Sequence, residues 1–279
     1  MGAGGRPGVL EEFEKLKPEI EKCVKITAID FKWERDMSDV DADIAIVFGG
    51  DGSVLRSAHQ MQGRQRPVLA VNLGTLGFLA NLQADGLIDV LKNLDPCNLP
   101  TVKHLMLQCQ IWRAAHSDKI QESRICLNEV MVFHGEDTFR IVNLPFSVDG
   151  LPVTTFRCDG LILSTPVGST GHNLSAGGPI IRKDLDAVLI TPVNPHTLNQ
   201  RPVIDSADRI YELQVQGSTA NVMVDGTIIA KIEPEDRVIV RRADVSFRMI
   251  ETPEHGYYAT LRDKLGWSGC LSSLEMSYT

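Results

Sequence analysis

The residues of this chain with the clearest chemical potential form a short glycine-rich turn. Gly49-Gly50-Asp51-Gly52 follows the apolar run from Ile44 to Phe48, which predicts a buried strand that ends in a tight turn. Glycines allow a phosphate to approach the backbone closely, and their N–H groups can point at it. A carboxylate repels phosphate, so the presence of Asp51 indicates that it binds a metal ion or accepts a proton. An ordinary strand-to-helix turn, in which Gly and Asp are common, remains the alternative.

A second stretch is rich in small hydroxyl and amide side chains. It begins at Asp159, passes through the apolar residues Leu161 to Leu163, and ends at Pro179. Its many Gly, Ser, Thr and Asn residues suit the hydroxyl and amide groups of a dinucleotide. A loop of this length and composition is usually either functional or disordered. Because apolar residues lie at both of its ends, we interpret it as an ordered binding loop rather than a solvated linker.

The elements that must position these two stretches predict an α/β fold followed by an all-β fold. Ile44 to Phe48 and Val68 to Val71 are predicted buried strands joined by a helix, a pattern typical of a parallel sheet. Later in the chain, short strand-like runs alternate with turns, which favours a β-sandwich-like domain. We therefore predict an N-terminal α/β domain over residues 1–99, to which 258–279 returns, and a C-terminal β-rich dinucleotide-binding domain over 100–257.

The composition excludes several kinds of partner. The chain has 28 basic and 36 acidic residues and a formal net charge of −8, which argues against binding to nucleic acid or to an anionic membrane. No apolar run approaches the roughly 18 residues that a membrane-spanning helix needs. Six cysteines occur, without a short CxxC spacing and without a signal peptide before them, so we expect free thiols in a reducing compartment. These features predict a soluble, cytoplasmic protein.

Taken together, the motifs resemble those of the NAD kinases, and the closing segment resembles the bacterial form of that family. The matching segments, in chain order, are Gly49–Gly52, Asn72–Leu79, Asn128–Glu129, Asp159–Pro179, Pro195–Leu198, Arg201–Pro202, Asp225–Gly226 and Leu261–Trp267. They extend over nearly the whole chain. The Gly-Gly-Asp-Gly motif alone also occurs in diacylglycerol kinases, sphingosine kinases and phosphofructokinases, but the long Ser/Thr/Gly run is specific in this combination.

The resemblance implies a two-domain kinase that transfers the terminal phosphoryl group of ATP, or of another donor, to the 2′-hydroxyl of the adenosine ribose of NAD and so produces NADP. Asp51 would be the catalytic base that takes the proton from that hydroxyl. The implied binding residues are Gly49, Gly50 and Gly52 for phosphates, Phe78 for adenine, Asn128 and Glu129 for a ribose, Arg157, Asp159, Thr170 and Ser175 for bases, sugars or a neighbouring subunit, and Asp225 near the phosphates. The resemblance also implies a homodimer or a homotetramer.

Two further expectations concern the charge of the phosphates. An acidic protein must neutralise a bound triphosphate, so we expect Mg²⁺ or another divalent cation. Asp225 could act through this ion. No side chain is assigned as a metal ligand. Arg56, in the helix after the glycine turn, is a candidate phosphate contact, and a solvated helix arginine is the alternative.

The sequence departs from the family in two places. Thr170-Gly171-His172 stands where the family commonly has Thr-Ala-Tyr, so a smaller, ionisable imidazole replaces a tyrosine ring. We expect His172 either to stack on a base of the dinucleotide or to face solvent. No strong apolar run precedes Phe13, so the first strand of the family is not predicted here. Its loss would leave the sheet one strand short or expose an edge.

Three alternative functions are less consistent with the sequence. A lipid kinase would be expected to have an apolar or basic membrane-facing segment, and a sugar-phosphate kinase would need a basic pocket; the sequence shows neither. A non-catalytic NAD(P)-binding sensor is a third alternative, and the retained Asp51, Asn128, Glu129 and Asp159 argue against it. We therefore predict an NAD kinase.

Overall fold

The computed structural model describes residues 1–74, 77–95, 98–114, 120–135, 141–197, 199–251 and 257–267. Its helices are α1 (Val9–Cys23), α2 (Asp51–Met61), α3 (Leu87–Asn93), α4 (His172–Ser175) and α5 (Tyr257–Leu265). Its strands are β1 (Ala45–Phe48), β2 (Val68–Asn72), β3 (Leu82–Gln83), β4 (Thr101–His104), β5 (Leu107–Trp112), β6 (Ile120–Cys126), β7 (Glu129–His134), β8 (Val142–Val148), β9 (Leu151–Cys158), β10 (Gly160–Ser164), β11 (Ala187–Val193), β12 (Val203–Ser206), β13 (Tyr211–Gln214), β14 (Ala220–Val224), β15 (Thr227–Ile232), β16 (Arg237–Arg242) and β17 (Phe247–Ile250).

The first sheet confirms the predicted α/β architecture, with parallel pairing of β1, β2, β3 and β17 and antiparallel pairing of β4 with β17. Its strand order is β1-β2-β17-β4, with β3 beside β2. Strands β1 and β2 run parallel, with Phe48 opposite Val71. A parallel pair needs a crossover connection, and α2 supplies it with its apolar residues Val54 and Ala58 buried. The turn between β1 and α2 therefore lies at the carboxyl end of the strand, where ligands of parallel sheets bind.

The first residues of the chain lie along the outer edge of β1. The N–H group of Phe48 donates to the carbonyl oxygen of Met1 at 2.8 Å, and the amino group of Met1 donates to the carbonyl oxygen of Ile46 at 2.9 Å. Gly2 and Phe48 form an isolated parallel bridge. Residues 24–44, all of them described, contain no strand. A short parallel segment thus covers part of the edge that a further strand would cover.

The second region is a sandwich of two six-stranded sheets, as the spacing of its strands predicts. One sheet has the order β12-β11-β10-β7-β14-β15, and the other has the order β6-β5-β16-β13-β8-β9. Strand β5 alternates buried and half-buried residues, the pattern of a strand with one face in a core. Val132 and Leu163 of the first of these sheets share an apolar cluster with Leu107 and Val240 of the second. The two sheets therefore pack face to face.

The first sheet extends across both predicted domain boundaries. Strand β4 follows residue 99 and β17 precedes residue 258, yet β17 pairs with β2, and β4 pairs with β17. The division into 1–99 with 258–279 and 100–257 remains a prediction, and the strand pairing favours limits after β4 and before β17. Helix α5 also contacts the second region, because the Tyr257 hydroxyl donates to the carbonyl oxygen of Ile181 at 3.2 Å.

Candidate active site

The carboxylate of Asp51 is held by consecutive backbone N–H groups. Asp51 is the first residue of α2, and its Oδ2 accepts the N–H of Phe78 at 2.8 Å. Its Oδ1 accepts the N–H groups of Leu79 and Ala80 at 2.9 and 3.0 Å. A carboxylate has about four lone-pair positions, so one position on Oδ2 has no donor among the described residues. The predicted base is therefore fixed in orientation and keeps one acceptor position.

The glycines around this carboxylate have two different roles. Gly49 has a φ of +135°, and a Cβ there would lie 2.3 Å from the hydroxyl oxygen of Ser53. A Cβ on Gly77 would lie 2.1 Å from the carboxylate. Gly50 and Gly52, in contrast, would each place a Cβ in open space. Close packing therefore requires glycine at positions 49 and 77. Beside Gly50 and Gly52, in contrast, there is space in which a phosphate can approach the N-terminus of α2.

Asp225 holds the Asn128-Glu129 turn in place. Its side chain is fully buried, and it accepts the N–H groups of Leu127, Asn128 and Glu129 at 2.8, 2.7 and 3.0 Å. His59 Nε2 lies 2.9 Å from the same carboxylate. Burial by itself raises the pKa of Asp225, but the hydrogen bonds from His59 and from these N–H groups bring it below its usual range. Protein donors surround both oxygens of Asp225, and its predicted place near the phosphates remains a prediction.

His59 is a functional candidate that no sequence motif indicates. It lies on α2, about two helical turns after Asp51, whereas Asp225 lies in the turn between β14 and β15. The contact between His59 and Asp225 therefore joins the α/β region to the β-sandwich. The same Asp225 carboxylate holds the turn of Asn128 and Glu129, so this contact lies between that turn and the helix that begins at Asp51. The partners are 166 residues apart in the chain, so no local pattern indicates that they meet.

Glu129 and His172 are in hydrogen-bond contact beside this turn. His172 Nδ1 lies 2.7 Å from Glu129 Oε1, and the two side chains are 56% and 2% exposed, respectively. Burial raises the pKa of Glu129, and the hydrogen bond from His172 opposes that rise. Glu129 Oε2 is buried and has no hydrogen-bond partner within the described part of the chain. A ligand hydroxyl could satisfy Oε2. His172 thus contacts the predicted ribose-binding carboxylate and is also exposed to solvent.

The stretch rich in small residues packs against the same turn. A Cβ on Gly168 would lie 2.3 Å from the carbonyl oxygen of Asn128, so only glycine fits at this close approach. The buried amide of Asn173 donates to the carbonyl oxygens of Ser169 and Pro179, both at 3.0 Å. These bonds connect the middle of the loop to its end. The structure supports the interpretation of an ordered loop over that of a solvated linker.

Arg157 and Asp159 lie apart from the residues above. Arg157 is an exposed residue of β9, and Asp159 accepts the side-chain amide of Asn194 at 2.9 Å. Asp159 precedes β10, whose far end pairs with Glu129 through Ser164. Five residues of extended chain span roughly 17 Å, so Asp159 and Glu129 are separated by the length of the strand. The predicted contacts of Arg157 and Asp159 with a dinucleotide or a neighbouring subunit remain predictions.

Thr170, Ser175 and Arg56 complete the predicted set. The Thr170 hydroxyl donates to the carbonyl oxygen of Val167 at 3.3 Å, and Ser175 is exposed at the last position of α4. Arg56 is exposed on α2, and its guanidinium carbon lies 6.0 Å from the centre of the Trp33 ring. This cation–π contact gives Arg56 a partner within the protein. Its role as a phosphate contact remains a prediction.

Asp51 is a fixed carboxylate at a helix N-terminus, next to glycines with open space beside them, and Glu129 Oε2 is buried without a partner among the described residues. These features fit a kinase that acts on a hydroxyl group. The ATP-NAD kinase N-terminal domain matches residues 11–95, and the ATP-NAD kinase C-terminal domain matches residues 127–252. The chain belongs to the NAD kinase family, and the prediction of an enzyme that phosphorylates NAD is confirmed.

Similar proteins agree with this assignment. An NAD kinase of Rhodopirellula baltica is 43% identical over 278 residues, which cover 99% of this chain and 88% of that protein. An NAD kinase of Geotalea daltonii is 35% identical over 90% of this chain and 88% of its own length. A crystal structure of yeast NADH kinase complexed with NADH has a TM-score of 0.76 and 26% identity, and covers 86% of this chain and 69% of that one. An Archaeoglobus fulgidus NAD kinase in complex with ATP, with a TM-score of 0.74, 22% identity and coverage of 95% and 97%, shares the fold.

Proposed function

We propose that Asp51 accepts the proton of the adenosine 2′-hydroxyl of NAD while that oxygen attacks the terminal phosphorus of ATP. The bond between this phosphorus and its bridging oxygen breaks, ADP leaves and NADP is the product. The observation that carries the proposal is the acceptor position left on Oδ2 of Asp51 at the N-terminus of α2. Phosphoryl transfer depends mostly on positioning and charge stabilisation, and a fixed carboxylate beside a helix N-terminus contributes to both.

The binding sites follow from the same geometry. We place a ribose of NAD at Asn128 and Glu129, where the buried Oε2 of Glu129 can accept a hydroxyl. Phosphates lie over Gly50 and Gly52, where a Cβ would meet nothing within 4 Å, and adenine lies beside the half-buried Phe78. The complex of the yeast relative with NADH and that of the archaeal relative with ATP support both substrates on this fold.

Mg²⁺ would accompany the nucleotide. The described residues contain no group of three or more His, Cys, Asp or Glu side chains that could hold a metal ion. Mg²⁺ commonly keeps several waters and binds substrate phosphates, so we expect the triphosphate and water to supply most of its ligands, and no side chain of this chain is assigned to it. The ion would neutralise charge on the phosphates, and the chain would contribute the open turn at Gly50 and Gly52.

The remaining contacts concern the far end of the dinucleotide. We assign Arg157 and Asp159 to that end, because Asp159 lies a strand length away from Glu129 and Arg157 precedes it by two residues. His172, Thr170 and Ser175 lie in or next to the small-residue loop and can contact the same ligand from its other side. His172 has a second role in this assignment, since it already holds Oε1 of Glu129.

We also propose a homo-oligomer, either a dimer or a tetramer. Edge strand β9 exposes Leu151 and Val153, and edge strand β12 exposes Val203 and Ile204. Exposed apolar residues on sheet edges favour contact with another chain. Light scattering after size-exclusion chromatography would give the oligomeric state, and a monomer at micromolar concentration would contradict the proposal.

The cytoplasm is the proposed location. The four cysteines that lie within the described residues, Cys23, Cys109, Cys126 and Cys158, are free thiols, which suits a reducing compartment. In the described part of the chain, no helix is both long enough and apolar enough to cross a membrane.

The role of Asp51 is tested by the rate of NADP formation from NAD, ATP and Mg²⁺. We expect Asp51→Asn to lower kcat by about 10²–10⁴-fold, the range of general-base assistance. Asp39→Asn, the same change at an aspartate that is 88% exposed, is the control and should keep wild-type turnover. Wild-type turnover in Asp51→Asn would exclude the proposed base. Replacement of ATP by other triphosphates or by polyphosphate in the same assay would establish the range of donors.

A further inference from the structure

Lys183 contacts the backbone segment that holds Asp51, although it belongs to the other region of the chain. It follows the small-residue loop and precedes β11. Its Nζ donates to the carbonyl oxygen of Phe78, 105 residues away in the sequence. The side chain is half-buried, so its ammonium group is partly removed from water.

Strand β4 holds the backbone of this lysine. His104 Nδ1 lies 3.2 Å from the carbonyl oxygen of Lys183, and His104 is 5% exposed. Burial lowers the pKa of His104 to about 4, so the imidazole is neutral near pH 7. Because a carbonyl oxygen only accepts, the ring must carry its proton on Nδ1. His104 therefore fixes the backbone from which the Lys183 side chain extends.

A single peptide group connects Lys183 to Asp51. The carbonyl oxygen of the Phe78–Leu79 peptide accepts the ammonium group, and the N–H of the same peptide donates to Asp51 Oδ1 at 2.9 Å. Hydrogen bonds in such a series polarise one another, so a cation on the carbonyl side strengthens the N–H donor. The charges also interact directly: burial lowers the pKa of Lys183, and the negative charge of Asp51 opposes that effect.

We propose that Lys183 is a positioning residue for phosphoryl transfer, which fixes the Phe78–Leu79 peptide and thereby keeps Oδ2 of Asp51 directed at the acceptor hydroxyl. This inference rests on the proposed role of Asp51. Lys183 acts through the peptide and not through contact with a substrate phosphate. It therefore affects the chemical step more than the binding of NAD or ATP.

The test combines three variants at Lys183 with a matched control. We expect Lys183→Met to lower kcat at least about tenfold, with KM for NAD and for ATP within about twofold of wild type. Lys183→Arg keeps a cationic donor and should recover most of kcat. Lys183→Gln should match Lys183→Met in kcat, and it provides the measurement if the apolar variant does not fold. Lys103→Met, the same substitution at an exposed residue of β4, should behave as wild type.

A double-mutant cycle then shows whether Lys183 acts through Asp51. In the Asp51→Asn background, Lys183→Met should cause little further loss, because interacting groups are not additive. An equal fold-loss in both backgrounds would overturn the proposal, and so would a higher KM for ATP with unchanged kcat, which indicates direct phosphate binding. Wild-type turnover in Asp51→Asn alone would refute the role of Asp51. A large loss in Asp51→Asn with wild-type kinetics in Lys183→Met would refute only the role of Lys183.

Discussion

His59 Nε2 lies 2.9 Å from Asp225 Oδ2, and this contact connects the helix that begins at Asp51 to the turn that contains Asn128 and Glu129. The Asp225 side chain is fully buried, so the loss of one of its partners is costly. The proposed base and the proposed ribose site are therefore parts of one hydrogen-bonded unit, although they belong to different regions of the chain. Changes within this unit should affect both stability and turnover.

Removal of the imidazole tests this connection. We expect His59→Ala to lower the free energy of unfolding by about 1–3 kcal/mol, because a buried carboxylate loses one of its partners. The value of kcat/KM for NAD should also fall, since α2 is no longer held against the sandwich. Urea denaturation and steady-state kinetics measure the two effects. His196→Ala, at an exposed histidine, is the matched control. An unchanged free energy of unfolding in His59→Ala would show that the contact does not stabilise the fold.

Glu129→Gln should stabilise the protein near neutral pH while it impairs binding of NAD. Burial raises the pKa of Glu129, so its ionised form costs stability. This cost is absent below the unfolded-state pKa, near 4.5, and appears as the pH rises through the folded-state pKa. We therefore expect the Tm of Glu129→Gln to exceed that of wild type by about 2–4 °C at pH 8 and to converge with it near pH 4.

The same variant should show a higher KM for NAD, by about fivefold, because a charged acceptor makes a stronger hydrogen bond than an amide oxygen. Thermal melts across the pH range and NAD titrations measure the two properties. Glu14→Gln, at an exposed position of α1, serves as the control. A Tm difference that does not change with pH would contradict the assigned cost of ionisation.

We expect Gly168→Ala to lower the stability of the protein and Gly52→Ala to lower its activity. At position 168 the new methyl carbon would lie 2.3 Å from the carbonyl oxygen of Asn128, so the backbone must move, and the free energy of unfolding should fall by about 1–3 kcal/mol. At position 52 the methyl group would enter open space in the first turn of α2, where alanine favours the helix, so stability should hold or rise.

The methyl group at position 52 also occupies the space that we assign to phosphate. The value of kcat/KM for ATP should therefore fall by at least about tenfold in Gly52→Ala. Urea denaturation separates the two variants by stability, and initial rates separate them by function. Wild-type kinetics in Gly52→Ala would mean that phosphate does not use this space.

Chelation of divalent cations should stop turnover without unfolding the protein. No cluster of potential metal ligands occurs in the described part of the chain, so Mg²⁺ is expected to arrive with the nucleotide. With EDTA we expect NADP formation to fall by more than about 100-fold and to return with excess Mg²⁺. The Tm of the protein without nucleotide should not change, because we expect the ion to bind through the nucleotide. A lower Tm in EDTA would instead indicate a structural metal ion.

Local sequence patterns predicted the elements of the site but not their arrangement. The apolar run from Ile44 to Phe48 and the glycines after it predicted a strand and a turn, and the structure has β1 at Ala45–Phe48 and α2 from Asp51. Strands and turns depend on residues that are close together in the sequence, so hydrophobic periodicity and turn-forming residue types indicate them. The position of β17 between β2 and β4 was not predicted, because that pairing joins segments far apart in the chain.

The sequence alone was enough to determine the family, and it predicted Asp51, Asn128 and Glu129 as site residues, because motifs carry this information in residue type and order. Only the tertiary structure decided which groups hold these residues in place. His59 contacts Asp225, which is 166 residues away in the chain, and Lys183 contacts Phe78, which is 105 residues away. Contacts of this kind depend on how the α/β region packs against the sandwich, and no period or spacing in the chain encodes that packing.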